Sequence, residues 1–102
     1  MLDHALTIRA ATPGDGDALR WLAALDSRPR IAGHVLLAER DGVAVAAIAL
    51  TSGAVVADPF NPTADAVRFL RARRYRLLRQ GGDVGAVRAL VRRLAPQPVP
   101  VA

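Results

Sequence analysis

The chain has 102 residues and a net charge of +5; 52% of it is hydrophobic, yet 21 residues are alanine and only 4% are aromatic. A chain of this length makes one domain whose core is large in count and thin in side-chain volume, so its stability is modest unless it oligomerises. The lack of cysteine excludes a disulfide scaffold, a thiol nucleophile and a Cys-ligated metal, and the lack of a long apolar run, with Asp3 where a signal peptide would be basic, points to a cytoplasmic protein.

Leu6, Ile8 and Ala10 alternate with Thr7, Arg9 and Ala11, which predicts a half-buried strand. Thr12-Pro13-Gly14-Asp15 then reads as a helix start, with Thr12 as N-cap, Pro13 first in the helix and an acid three residues after the cap. Leu19, Leu22 and Leu25 share one face of that helix, which should stop near Asp26–Ser27 because Pro29 disfavours helix at Arg28. Trp21 lies off this stripe and reads as a lid over the edge of the core.

From Gly33 the pattern changes to strands. His34–Arg40 and Val43–Thr51 flank Asp41-Gly42, a two-residue hairpin signal. The run Ala44–Leu50 is apolar on both faces and predicts a central strand covered on both sides. Ser52-Gly53 makes a second turn, and Ala54–Ala57 pairs back until Asp58-Pro59, where proline removes a ladder donor.

A helix over Ala64–Gln80 follows, with Ala66, Val67, Leu70, Leu77 and Leu78 on one arc and Arg68, Arg73, Arg76 and Arg79 on the other. Arg74 falls inside the apolar arc and Arg71 at its border, so they snorkel, pair with a carboxylate such as Asp58 or Glu39, or mark an early end to the helix. Gly81-Gly82 breaks the chain and Asp83 caps a second helix, Val84–Ala95, with Arg88, Arg92 and Arg93 outward. Residues 96–102 read as a Pro-rich, flexible tail. The fold class is therefore α+β: a strand, a helix and a three-strand meander forming a four-stranded, mainly antiparallel sheet, followed by two basic amphipathic helices. One domain spans residues 1–95, with the sheet within residues 1–60 and the Arg-rich helices within residues 63–95.

All 14 basic residues are arginine, and they are unevenly placed: residues 1–62 hold five with seven acids, residues 63–102 nine with two acids. Such asymmetry suggests that the second half faces something anionic, with Arg68, Arg73, Arg76 and Arg79 as the candidates, or that the Arg residues simply solvate helix faces. His4 and His34 lack a partner at metal-ligand spacing, Ser27 and Ser52 sit in turns, and Tyr75 is assigned to packing. Glu39 and Asp58 end neighbouring strands and are weak candidates for a carboxylate pair that deprotonates an amine.

The opening Thr7-Ile8-Arg9-Ala10-Ala11-Thr12-Pro13-Gly14-Asp15, with Ala18-Leu19 after it, resembles the first strand and helix of the GNAT superfamily of acyl-CoA-dependent N-acetyltransferases. Val35–Gly42 and Val45–Leu50 are similar to that family's second and third strands, and Ala54–Phe60 stands where its fourth would be. The resemblance covers roughly residues 6–60. It implies an acetyl-CoA diphosphate loop of the form Q/R-x-x-G-x-G/A after the fourth strand, where glycines let backbone N–H groups reach the phosphates. Asp58–Asp65 contains no glycine. The nearest match is Gln80-Gly81-Gly82-Asp83-Val84-Gly85, which makes Gln80, Gly81, Gly82 and Gly85 weak cofactor candidates, with Asp83 set to repel a diphosphate. The expected reading is a truncated GNAT-like domain without a cofactor, not competent for catalysis alone, acting through protein contacts and as a homodimer. The alternatives are a minimal acetyl-CoA-dependent acetyltransferase and a binder of nucleic acid or anionic lipid through the Arg-rich helix.

Overall fold

A computed structural model describes residues 5–81 and the short strand at 97–98. Strand β1 (Leu6–Ala10) leads through a 3-10 turn (Pro13–Asp15) into α1 (Gly16–Leu25). Then come β2 (Val35–Arg40), β3 (Val43–Ala49), β4 (Val55–Ala57) and α2 (Ala64–Gly81). The strands form one antiparallel sheet in the order β4-β3-β2-β1, extended past β1 by β5 (Gln97–Pro98). The expected α+β meander is thus present. The addition is β5: the segment read as a free tail pairs two of its residues with Thr7 and Ile8. The predicted helix 84–95 with its Asp83 cap, Gly82, Gly85 and His4 lie outside the described residues.

Both faces of the sheet are buried, which explains the unbroken apolar run in β3. Leu36, Ile48 and Leu50 meet Ala66, Leu70 and Leu77 of α2 on one side. Val35, Leu37, Ala47, Ala49 and Val56 meet Leu19, Leu22 and Ala23 of α1 on the other. The alternation slips once: Ala38 faces Ala46 but Glu39 faces Ala44, so Val45 is an extra residue in β3. Val45 and Ala46 both belong to the α2 side as a result.

The turns are built as their residues dictate. Asp41 and Gly42 both have positive φ (55° and 79°), the requirement of the hairpin turn whose twist matches its strands. Helix α1 does end at the expected place, though by a different device from Pro29. Ser27 adopts φ 52°, its N–H bonds the Ala24 carbonyl, and the Arg28 N–H reaches back to the Ala23 carbonyl. Leu25, expected on the buried stripe, is only half-buried, and Ala23 takes the core position instead. Among the described residues, no helix is long and apolar enough to cross a membrane.

Candidate functional site

The exit of β4 and the start of α2 form the place where a phosphate-holding loop would be expected. Asp58 is buried there, at 4% exposure. Its Oδ1 accepts the Phe60 N–H at 2.8 Å and its Oδ2 the Asn61 amide at 2.7 Å, an Asx turn that folds the loop on itself. One turn on, Asp65 Oδ1 accepts the Ala66 N–H at 2.7 Å, and both its carboxylate oxygens accept Arg40 Nη2 at 3.0 Å. Burial alone would raise the Asp65 pKa, but the Arg40 bond and the Ala66 N–H outweigh it and the carboxyl lies below its usual range. The Phe60 and Ala66 N–H groups are thus already bonded to carboxylates of the chain itself.

Glu39 is held elsewhere. On the α1 side of the sheet, Arg9 Nε donates to Glu39 Oε1 at 2.9 Å, while its Nη1 and Nη2 donate to Asp15 at 2.7 and 2.8 Å. These bonds raise the Arg9 pKa, and the Asp15 carboxyl, bonded to Arg9 and to Thr12, lies well below its usual range. Glu39 and Asp58 stand two strands apart, about 10 Å at ordinary strand spacing, and each carboxylate has its own partners. They do not form a joint acid–base pair.

Gln80 and Gly81 belong to the last turn of α2 rather than to a loop. Of the four candidate anion-binding arginines, Arg68, Arg76 and Arg79 are exposed, whereas Arg73 is half-buried at the rim of the core. Its pKa is lowered first by burial and then by the charge of Arg76. Arg71, read as a border residue, is exposed and joins the outward face. Among the described residues Arg74 has no carboxylate partner in the apolar arc: its Nε donates to the Leu50 carbonyl at 2.8 Å and its Nη2 to the Thr51 carbonyl at 3.3 Å. Tyr75, assigned to packing, is 60% exposed in the middle of the outward arginines. Arg79 lies 5.7 Å from the Tyr75 ring centroid, and Arg68 lies 5.2 Å from that of Phe69.

A second feature is the outer side of β4. The Ala54 carbonyl and the Asp58 N–H bond β3, so residues of even number face the ladder and Val55 and Ala57 point outward. The Ala57 N–H is taken by Asp26 Oδ2 at 3.1 Å. Val55 is left facing a cleft of about 370 Å³ whose walls include Asp26, Arg28, Gly53 and Arg71. A smaller cleft of about 230 Å³ lies between the 3-10 turn and the 30–35 segment, lined by Pro13, Leu19 and Ile31 among others. Among the described residues, no group of three His, Asp or Glu side chains is placed to hold a metal. His34 contributes its backbone carbonyl, which accepts the Leu50 N–H at 2.8 Å. No protein-family model matches this chain, and comparison with curated proteins and with solved structures finds no significant match.

Proposed function

We propose that this chain carries the first half of a GNAT-like fold, does not transfer acetyl groups by itself, and acts through protein contacts made along β4, pairing there with a second copy of itself. The observation that carries this reading is the outward-facing backbone of Val55 at the end of the sheet. An unpaired edge invites another strand unless it is covered. Asp26 blunts the edge at Ala57, which limits pairing to the stretch centred on Val55. A two-fold arrangement would let two copies of Val55 exchange N–H and carbonyl bonds. The case against catalysis rests on the loop after β4, where Asp58 and Asp65 hold the nearby amides and bring negative charge to the place a diphosphate would need.

Two measurements test this. Millimolar acetyl-CoA should leave the melting temperature unchanged; a bound ligand at 100 times its dissociation constant would add about 2.7 kcal/mol, a rise of several degrees, and that result supports the minimal acetyltransferase instead. Light scattering at micromolar concentration should give a dimer, and Val55→Pro, which removes the outward N–H and no hydrogen bond of the β3–β4 ladder, should give a folded monomer. A wild-type monomer would remove the self-pairing.

A further inference from the structure

The outward face of α2 borders the β4 edge, where Arg71 lines the cleft beside Val55, but it carries a different chemistry. Arg68, Arg71, Arg76 and Arg79 are all exposed on it, around Tyr75 at 60% exposure. From Arg68 to Arg79 this stripe runs about 16 Å along the helix. Among the described residues, none of these four arginines has an ion-pair partner, whereas Arg9 and Arg40 are both committed to carboxylates. Asp65, the one acid of α2, is bound to Arg40 and so does not neutralise the stripe.

We infer that this face binds single-stranded nucleic acid, the guanidinium groups pairing with successive phosphates and Tyr75 stacking on a base. Each guanidinium can hold a phosphate through two parallel N–H bonds, which an ammonium cannot do. Charge alone would suit an anionic membrane too, but a helix that settles on a bilayer must bury an apolar face in it. In α2 that face, Ala66, Leu70 and Leu77, is already buried against the sheet. An acidic peptide would satisfy the arginines but would give the exposed ring of Tyr75 nothing beyond the Arg79 contact it already has. A base offers a stacking partner, and stacking is indifferent to sequence.

The test is fluorescence anisotropy with a labelled twenty-nucleotide oligothymidine, the matching duplex, polyglutamate as competitor, and phosphatidylserine vesicles in a separate sedimentation assay. Four phosphate contacts to a single strand predict that affinity falls about 50-fold between 50 and 200 mM salt. The combined Arg68→Gln, Arg71→Gln, Arg76→Gln and Arg79→Gln variant should lose that salt dependence along with most of the binding. Tyr75→Ala should weaken binding about tenfold while Tyr75→Phe retains it. Circular dichroism of each variant checks that α2 is still formed. Binding that survives the four substitutions overturns the assignment, as does absence of binding at 50 mM salt. A preference for duplex, equal competition by polyglutamate, or binding to vesicles alone does so as well.

Discussion

Arg9 and Asp15 are joined through both terminal guanidinium nitrogens and both carboxylate oxygens, at 2.7 and 2.8 Å, with side chains only 21% and 14% exposed. The pair ties β1 to the turn that starts α1, and Glu39 on the neighbouring strand takes the rest of the guanidinium. Arg9→Gln would leave two half-buried carboxylates facing each other without their cation. It should cost about 2–3 kcal/mol in urea unfolding, more than an exposed ion pair is worth. Glu39→Gln should cost less, since Arg9 keeps its bidentate bond to Asp15. A large loss for Glu39→Gln and a small one for Arg9→Gln would contradict this order.

The same network sets the response to acid. Asp15 has a folded-state pKa below that of the unfolded chain, which is near 3.9. Its contribution is therefore complete above about pH 5 and is lost as pH falls through the folded value. Asp65, held down by Arg40 and the Ala66 N–H, titrates in the same sense. Between pH 5 and pH 2 the wild-type chain should lose about 2 kcal/mol more stability than Arg9→Gln, in which Asp15 has no cation to lose. Parallel pH profiles for the two proteins would show that Asp15 is not the group responsible.

How much of this was legible beforehand differs from element to element, for physical reasons. The Asp41-Gly42 hairpin could be read directly because few dipeptides accept two positive φ values. The burial of β3 on both faces was equally plain, since an apolar run with no polar side has nowhere else to go. That same uniformity hid the extra residue at Val45: when every position is apolar, a one-residue slip leaves no mark in the pattern. Arg74 was legible as an anomaly but not as a solution, because its partners are backbone carbonyls, which no sequence displays. For the candidate site, the arginines of α2 were countable, yet their facing depends on where the helix rests on the sheet. That rotation exposes Arg71 and draws in Arg73.

The end of α1 gives a stabilising prediction. Ser27 holds φ 52° to complete the hydrogen bonds that close the helix, a conformation that crowds Cβ against its own backbone. Ser27→Gly removes the crowding and should raise stability by about 0.5–1 kcal/mol, less what glycine adds to the freedom of the unfolded chain. Thermal unfolding that shows a lower melting temperature for Ser27→Gly would mean that the left-handed conformation is not what ends the helix.

Gly53 and Arg74 make a coupled pair at the other turn. Gly53 has φ 77°, and a Cβ there would lie 3.3 Å from Cζ and Nη1 of Arg74, whose guanidinium bonds the Leu50 and Thr51 carbonyls. Gly53→Ala therefore meets two costs, a strained backbone and a displaced guanidinium, and should destabilise by about 1.5–3 kcal/mol. Arg74→Met keeps the apolar stem and removes the donors, leaving the Leu50 carbonyl without its bond, at about 1–2 kcal/mol. The double variant should cost less than the sum, because the added methyl group then has no guanidinium to push aside while the backbone strain persists. A double-mutant cycle in urea reads this coupling as about 0.5–1 kcal/mol. Strict additivity would show that the turn's glycine is needed for its backbone angle alone, and that Arg74 reaches the two carbonyls independently of it.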